Sequence, residues 1–383
     1  MDRIKKTSSP AADLTDDLIV EILSRLPAKS ICRFKCVSPH WRRLITDRAN
    51  RRKLPQTLSG FFRYAVGPDG DGKAISAPYF NSIISGLGEE ERHVHDPSLS
   101  FLPGYYRSII PKDCCNGLLL CICWKDSPSN EFHYVVCNPA TEKWLILPQS
   151  DQDSQMFVIR VGFDPAVSPH FHVFSVLRDQ NRFITGVDVY SSEAQAWSYK
   201  ESGWAYGIMV YEPSVFLNGM MHFISCASTI VALDTEGKSW KTIPLLETMG
   251  YKCSFARSCA FIGKSQGHLH YLNVKGTDAS LSVWILNNSC GDEWLFKYNI
   301  SSSQLSGSKD VMNTWDYTVV AIHPECSLIF YVLNGEIMLV SYDIDHGEVH
   351  IIHKLKEPFY GSRNPYIPYI PLFRESESLS DHE

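Results

Sequence analysis

The chain has 383 residues, of which 44% are hydrophobic, 12% aromatic and 20% charged, so it is long enough to bury at least one large core. Its net charge of −6 argues against a uniformly basic nucleic-acid binder and against a protein that adsorbs generally to membranes. The N-terminus lacks the apolar stretch of a secretory signal, and no apolar run reaches the roughly 20 residues of a membrane span. We therefore expect an intracellular protein, in the cytoplasm and/or nucleus, with reduced cysteines.

Charge and aromatic content divide the chain into two parts. Residues 1–56 hold 13 Lys or Arg against 6 Asp or Glu, a charge of +7, which leaves −13 for the remainder. Only Phe34 and Trp41 of the 46 aromatic residues lie in this first part. Aromatic and β-branched side chains suit pleated sheets, so a small aliphatic unit followed by a β-rich domain is predicted.

Helical spacing dominates residues 14–45. The first predicted helix has Thr15 as its N-cap, ends at Pro27, and places one apolar face at Leu18, Ile19, Ile22, Leu23 and Leu26. A second short helix offers Ile31, Phe34 and Val37. A third begins with Ser38 as N-cap and Pro39 at its first position, and aligns Trp41, Leu44 and Ile45. Three such short helices bury little surface, so this unit is expected to share its apolar face with a partner or with the next domain.

Beyond about residue 58, short apolar runs alternate with turn residues, and two phrases recur. The first is a strand opened by glycine, at Asn116-Gly117, Asn218-Gly219, Gly267 and Asn334-Gly335. The second is a strand, a polar turn and a tryptophan, at Trp144, Trp197, Trp240 and Trp294, with Val349 continuing the series. The spacings of 53, 43, 54 and 55 residues are typical of four-stranded propeller blades, with each tryptophan packed between neighbouring blades.

The repeats predict the fold class α+β multidomain: a small three-helix unit followed by an all-β propeller-like domain of about six blades. Five periods lie between about Asp113 and Tyr360. Strand-like material at Gly60–Ala65 and Tyr105–Ile110 is expected to combine with Tyr366–Phe373 and close the sixth blade. The acidic, serine-containing tail is expected to be disordered.

Two resemblances cover nearly the whole chain. Residues 14–45 resemble a plant-type F-box in their apolar positions, the Leu26-Pro27 break and Trp41. Residues from about Gly60 to Phe373 resemble the plant F-box-associated domain, a kelch-like β-propeller, through phrases around Asn116-Gly117 and Asn138 to Trp144. The expected divisions are a disordered N-terminus at 1–12, the F-box at 13–55, the propeller-like domain at 56–373 and a disordered acidic tail at 374–383.

The resemblance implies a non-catalytic substrate receptor of an SCF-type E3 ubiquitin ligase, without a cofactor. Its F-box would dock on a Skp-type adaptor, and through it on cullin, while the propeller would capture a target protein. Nine basic residues and one acid between Lys29 and Lys53 suit an acidic adaptor. The residues expected to divide between the F-box core and the adaptor interface are Leu14, Leu18, Ile22, Leu23, Leu26, Pro27, Ile31, Phe34, Val37, Trp41, Leu44 and Ile45.

Target capture is expected at the inter-blade connections just before the glycine-opened strands, because such connections gather on one face of a propeller. These connections contain side chains of the types enriched at interaction hot spots: Arg107, Trp204, Tyr206, Arg257 and Trp315. The alternative is that these aromatic side chains pack between blades.

Other readings stay open at this point. A non-degradative, adaptor-binding interaction protein is one alternative, and an oxidase built on the propeller axis is another. The basic stretch around Arg48 and Arg51 fits a solvated helix face better than nuclear import or nucleic-acid binding. Cys121-x-Cys123 reads as two core thiols rather than a zinc site, and no metal site is expected.

Overall fold

In a computed structural model, the chain divides into two compact units: residues 1–57 together with 165–167, and residues 58–164 together with 168–383. The domain bounds expected from the sequence stay predictions. The residues that the structure describes are 14–26, 30–31, 34, 37–47, 50, 53–54, 58–68, 74–83, 96–127, 131–152, 156–179, 184–201, 207–208, 213–250, 260–275, 279–287, 293–306, 317–333, 338–354, 366–373 and 378–379. Among these residues, no helix is both long and apolar enough to cross a bilayer.

The N-terminal unit contains two helices with defined bounds, α1 (Asp16–Ser24) and α2 (Pro39–Thr46). Helix α1 begins after Thr15 as predicted, although the Thr15 side chain makes no capping hydrogen bond. Helix α2 begins after Ser38, whose Oγ accepts a hydrogen bond from the Trp41 amide at 3.1 Å, and Pro39 occupies its first turn. Of the predicted second helix, Ile31 and Phe34 are helical, and most of the remainder lies outside the described residues.

The second unit is a six-bladed β-propeller, which confirms the predicted fold class. Five antiparallel four-stranded sheets follow one another along the chain, and a three-stranded sheet completes the ring. Blade 1 consists of β1 (Gly60–Pro68), β2 (Ala74–Ser82) and β23 (Ile367–Tyr369). Blade 2 consists of β3 (Tyr106–Cys115), β4 (Leu118–Lys125), β5 (Phe132–Asn138) and β6 (Lys143–Ile146).

The remaining four blades have the same consecutive strand order. Blade 3 has β7 (Met156–Gly162), β8 (His172–Arg178), β9 (Ile184–Ser191) and β10 (Ala196–Glu201). Blade 4 has β11 (Val215–Leu217), β12 (Met220–Ile224), β13 (Thr229–Asp234) and β14 (Trp240–Pro244). Blade 5 has β15 (Ala260–Ser265), β16 (His268–Lys275), β17 (Ser280–Asn287) and β18 (Glu293–Ile300). Blade 6 has β19 (Tyr317–Ile322), β20 (Leu328–Leu333), β21 (Met338–Asp343) and β22 (Glu348–Lys354).

Two short helical segments lie in the connections between blades. A 3-10 turn (Glu247–Met249) follows blade 4, and helix α3 (Ser302–Ser306) follows blade 5. Both carry a buried apolar side chain, Met249 and Leu305. These connections are therefore anchored to the blades that they join.

Ring closure depends on pairing between the start and the end of the propeller sequence. Strand β23 pairs antiparallel with β1, with Gly60 opposite Tyr369 and Phe62 opposite Ile367. The expected combination of Gly60–Ala65 with Tyr366–Phe373 is thus confirmed. The expectation for Tyr105–Ile110 is wrong, because β3 continues to Cys115 and pairs with β4 as the first strand of blade 2.

Six buried apolar clusters hold the ring together, and each joins two neighbouring blades. Leu118 of blade 2 and Val161 of blade 3 share one cluster, and Phe330 of blade 6 shares another with Phe61 of blade 1. The other four clusters join blades 1 and 2, 3 and 4, 4 and 5, and 5 and 6. Because no blade buries both of its faces alone, the propeller is stable only as a ring.

The recurring tryptophans all lie in the outermost, fourth strand of their blades. Trp144, Trp197, Trp240 and Trp294 are on β6, β10, β14 and β18, and Val349 is on β22. Each packs against the cluster shared with the preceding blade. The Nε1 groups of Trp197 and Trp294 also donate hydrogen bonds to the carbonyl oxygens of Pro148 and Pro244, at 2.7 and 3.0 Å. The predicted packing between blades is confirmed.

The glycine-opened phrase marks the first hairpin turn of blades 2, 4 and 5. Asn116 and Gly117 have φ values of 47° and 89°, and Asn218 and Gly219 have 52° and 76°. Consecutive positive φ angles are what tight hairpin turns require. The fourth instance has a different place: Asn334-Gly335 falls between the second and third strands of blade 6, before β21, and lies outside the described residues. Asn-Gly favours any tight turn and does not encode which turn of a blade it serves.

Two residues of the C-terminal tail are described, and the expected disorder of the tail stays a prediction. Leu379 is buried in the cluster between blades 2 and 3, and the Ser378 Oγ donates a hydrogen bond to the Pro169 carbonyl oxygen at 3.0 Å. A leucine that fills an apolar cluster gains enough burial to order a polar segment locally. The rest of the tail and residues 1–13 lie outside the described residues.

Candidate functional site

An apolar stripe is exposed on the N-terminal unit. Leu18 and Ile22 lie one helical turn apart on α1, with 52% and 44% of their surface exposed, and Leu14, just before the helix, is 39% exposed. Val37, before α2, is 57% exposed. Large aliphatic side chains that remain this exposed on a folded unit mark an interaction surface.

The opposite side of α1 forms the core of the unit. Leu23 is fully buried and Ile19 nearly so, and both pack with Ile31, Leu44 and Ile45. Leu26, Phe34 and Trp41 pack half-buried at the edge of this core, with the rings of Phe34 and Trp41 centred 5.5 Å apart. The twelve predicted adaptor-binding residues are thus divided. Leu14, Leu18, Ile22 and Val37 face outward, seven contribute to the core, and Pro27 lies outside the described residues.

Three buried apolar residues of the described part of this unit, Ile19, Val20 and Leu54, were not among the predicted site residues. Ile19 follows the helical period of α1 and was recognisable from it, whereas Leu54 lies beyond the last predicted helix, where no period points to it. Both are buried, so they support the exposed stripe from behind.

Polar contacts fix α1 against α2. The Nε2 of His40 lies 2.9 Å from Oδ1 of Asp16, at the start of α1. The Asn50 side-chain amide donates a hydrogen bond to the Leu44 carbonyl oxygen at 3.2 Å. The His40–Asp16 contact joins α1 to α2 at the protein surface, and the Asn50–Leu44 bond attaches Asn50 to the end of α2.

Basic side chains lie near this stripe in sequence and in the same unit. Arg42 and Arg43 on α2 are exposed, as is Lys53. The other six basic residues between Lys29 and Lys53 lie outside the described residues. Exposed cations beside an exposed apolar stripe suit a partner whose surface combines apolar pockets with negative charge.

The predicted target-binding residues are mostly outside the described part of the chain. Arg107 is described, half-buried in β3, while Trp204, Tyr206, Arg257 and Trp315 are not. Two exposed apolar side chains on inter-blade connections were missed: Tyr105, 49% exposed before β3, and Leu246, 45% exposed after β14. The rule of hot-spot residue types on connections would have found Tyr105, which is two residues from Arg107.

Charged side chains gather on the first strands of blades 2 and 3. Asp113 Oδ2 accepts a hydrogen bond from the Val161 amide at 2.8 Å, and a bulge in β3 brings Lys112 next to it. Burial raises the pKa of Asp113 to about 6, and the positive charge of Arg160 opposes that shift. Burial also lowers the pKa values of Arg160 and Lys112. A pKa near 6 suits proton transfer, but this carboxylate is committed to the backbone of β7 and to Arg160, so it links blade 2 to blade 3.

The Cys121-x-Cys123 pair is the place where the sequence raised the question of a metal site. Cys121 and Cys123 are fully buried in the cluster between blades 1 and 2, where burial raises the pKa of each thiol well above its usual value. Their predicted place in the core is confirmed. Within the described ranges, no group of three or more His, Cys, Asp or Glu side chains is arranged to hold a metal ion.

Comparison with known proteins identifies both units. Residues 12–53 match the F-box domain family, and residues 99–363 match the family described as F-box protein At3g26010-like, beta-propeller. The second match covers more than half of the chain and the first covers the helical unit with the exposed stripe. This protein therefore belongs to the plant F-box proteins that carry a C-terminal β-propeller.

Similar proteins share this organisation over most of their length. F-box protein At5g07610 of Arabidopsis thaliana is 28% identical over 79% of this chain and 74% of its own. F-box protein At5g49610 of the same plant is 25% identical over 81% and 86%. Among solved structures, an oligogalacturonate lyase in complex with manganese superposes with a TM-score of 0.42 at 9% identity, over 80% of this chain and 82% of that one. At that TM-score, the likeness to the lyase carries no inference about function.

Proposed function

We propose that this protein is the substrate-recognition subunit of an SCF-type E3 ubiquitin ligase. Its F-box docks on a Skp-type adaptor, which connects it to cullin, and its propeller binds the protein to be ubiquitinated. The observation that carries the proposal is the exposed Leu18–Ile22 stripe on an F-box helix. Docking would bury these side chains, and the basic charge of the unit would guide an acidic adaptor to them.

The role is non-catalytic: the receptor positions the target, and other subunits perform the transfer. The propeller is kelch-like in this proposal, and its target surface includes Tyr105 and Leu246 on inter-blade connections and Arg107, which lies in strand β3 and not on a connection. The complex acts in the cytoplasm and/or nucleus, and neither nucleic acid nor a membrane is a partner.

Adaptor binding is the direct test. Purified chain carrying Leu18→Asp and Ile22→Asp is titrated with a plant Skp-type adaptor by isothermal calorimetry. The expected loss of affinity is about 100-fold, because two carboxylates would be buried without partners. A matched control is Val66→Asp, since Val66 is 61% exposed but lies on the propeller. Its affinity should stay within about twofold of the unmodified chain.

Equal binding by the unmodified chain and the double variant would refute the docking surface.

The abundance of captured proteins distinguishes a degradative receptor from a non-degradative binding protein. Proteins captured by the chain in plant cells should accumulate when the proteasome is inhibited. If they are captured but their abundance does not respond, the protein is a non-degradative interaction partner instead.

A further inference from the structure

The first strands of the blades form the innermost ring of the propeller, where they line its central channel. Around this ring, β23 contacts β3, β3 contacts β7, β11 contacts β15, and β15 contacts β19, which in turn contacts β23. Most residues of β3 are half-buried, whereas the first four residues of β4, the next strand outward, are fully buried. Solvent in the channel therefore reaches side chains of the first strands.

Three basic side chains lie near one mouth of this channel. Lys112 on β3, Arg160 on β7 and Lys264 on β15 are all half-buried, and each is within three residues of the end of its strand. Because the blades have the same strand order, these ends meet at the mouth where the first hairpin turns lie, the turn-side mouth. Blade 5 stands opposite blade 2 in a ring of six, so Lys264 and Lys112 approach the axis from opposite sides.

Charge interactions connect these side chains. Burial lowers the pKa of Lys112, and the neighbouring positive charge of Arg160 lowers it further. Burial raises the pKa of the Cys115 thiol on β3 to about 12, and the positive charge of Lys264 opposes that shift. A lysine of blade 5 affects a thiol of blade 2 only if both are near the axis.

Carboxylates at the turn-side mouth compensate only part of the positive charge. Asp113 is hydrogen-bonded to the backbone of β7, and its charge interacts with that of Arg160. Asp164, which follows β7, supplies a second negative charge near Cys115. Among the residues that the structure describes, neither lysine of the mouth forms an ion pair. Half-buried cations that repel one another cost stability, and such arrangements concentrate where a ligand uses them.

We propose that the turn-side mouth binds a phosphoryl group through Lys112, Arg160 and Lys264. A phosphoryl group has three strong acceptor oxygens, so it can meet cations from three blades at once, whereas a carboxylate has two oxygens. The lysine ammonium groups act as point charges, and the guanidinium group of Arg160 adds donors in a fixed plane. The phosphoryl group belongs either to a small molecule or to a phosphorylated protein side chain.

Isothermal calorimetry of the purified full-length chain with inorganic phosphate tests this site. Lys112→Gln and Lys264→Gln should each weaken phosphate binding about tenfold, because each removes a charge-assisted hydrogen bond. Lys264→Arg keeps the charge and should stay within about threefold of the unmodified chain. Lys297→Gln removes an exposed cation from the fourth strand of blade 5 and is the control, with affinity unchanged. No binding to the unmodified chain, or equal affinities in all variants, would overturn the proposal.

Thermal unfolding separates binding from a structural role. Without phosphate, Lys264→Gln should not lower the unfolding temperature, because the substitution removes a repulsion between half-buried cations. With phosphate, the unfolding temperature of the unmodified chain should rise by mass action, and that of Lys264→Gln should rise less. A lower unfolding temperature together with an unchanged response to phosphate would show that Lys264 is only structural and would contradict the proposal.

Competition against inorganic phosphate identifies the source of the phosphoryl group. The competitors are a sugar phosphate, a phosphoserine peptide and acetate. Displacement by the sugar phosphate alone assigns the site to a small molecule, and displacement by the peptide as well assigns it to phosphorylated proteins. Displacement by neither, or displacement by acetate at equal concentration, would overturn the assignment to a phosphoryl group. Adaptor docking uses the F-box unit, so failure of these tests would leave the proposed receptor function untouched.

Discussion

The F-box unit and the propeller use apolar surface in opposite ways. The F-box unit has one small core, centred on Leu23, and leaves Leu18 and Ile22 exposed. The propeller divides its apolar residues among six clusters, each shared by two blades and closed around the ring. A unit that binds a partner leaves part of its apolar surface exposed for that partner, whereas a closed ring of blades buries its apolar surface between its own blades.

The largest effect is expected from damage to the small core. Leu23→Ala should destabilise the F-box unit by roughly 3 kcal/mol, because a fully buried leucine leaves a cavity in a core with few other residues. Calorimetry and hydrogen exchange should show early unfolding of residues 14–54 with the propeller intact. Leu18→Ala, on the exposed side of the same helix, is the control and should change stability little. Simultaneous unfolding of both units would contradict their independence.

A pH-dependent loss of stability is expected in the propeller alone. His323 is buried between β19 and β20, and its Nδ1 accepts hydrogen bonds from the amides of Glu325 and Cys326 at 3.2 and 3.3 Å. Burial lowers the pKa of His323 to about 4. The folded state therefore binds fewer protons than the unfolded state between pH 6.5 and 4, so the stability that neutral His323 contributes is lost as the pH falls through that range.

The size of this effect is roughly 2 kcal/mol between pH 6.5 and 5. Denaturant unfolding at several pH values should show it as the difference between the unmodified chain and His323→Asn, because the other shifted groups of the propeller, including Asp113 with its raised pKa, contribute equally to both proteins. His268→Asn removes an exposed histidine from the neighbouring blade and serves as control. Identical pH profiles for all three proteins would contradict the assignment to His323.

The smallest effect is expected from removing single hydrogen bonds between neighbouring blades. Comparing two such bonds tests whether burial determines how much each contributes to the stability of the propeller. Trp294→Phe removes the hydrogen bond to the Pro244 carbonyl oxygen from a buried site and should cost about 1–2 kcal/mol. Trp197→Phe removes the equivalent bond to Pro148 at a more exposed site, where water replaces it, and should cost less than half as much. Chemical denaturation measures both. A larger cost at Trp197 would mean that burial does not set the strength of these links.

Much of the propeller was predictable because one short sequence motif recurs at the same position in successive blades. The polar turn followed by tryptophan marks the last hairpin of four blades, Val349 takes the same place in a fifth, and the spacing alone gave the blade period. The Asn-Gly phrase was less informative, since a tight turn occurs at more than one place in a blade. The closing strand was predictable because residues 366–373 remained after the five periods were assigned. Only the observed pairing shows that Tyr106–Cys115 belongs to blade 2.

The sequence predicted which residues form the F-box site, but not which of them are exposed and which are buried in its core. Apolar residues cover a wide arc of α1, so periodicity alone does not separate Leu18 and Ile22 from Ile19 and Leu23. Which side is covered depends on where Ile31 and Leu44 pack, and that is a property of the tertiary structure. The burial of Leu379 was not predicted either, because a single leucine in an acidic tail forms no periodic apolar pattern.

Pairing of β1 with β23 also has a consequence for synthesis of the protein. Gly60 pairs early with Ser82 on β2, but its second partner, Tyr369, is made more than 300 residues later. Until then, the face of blade 1 that packs on blade 6 stays uncovered, because blade 6 and β23 are both made near the end of translation. We therefore expect the ring to close only when translation is nearly complete, whereas the F-box unit has its whole sequence at the start.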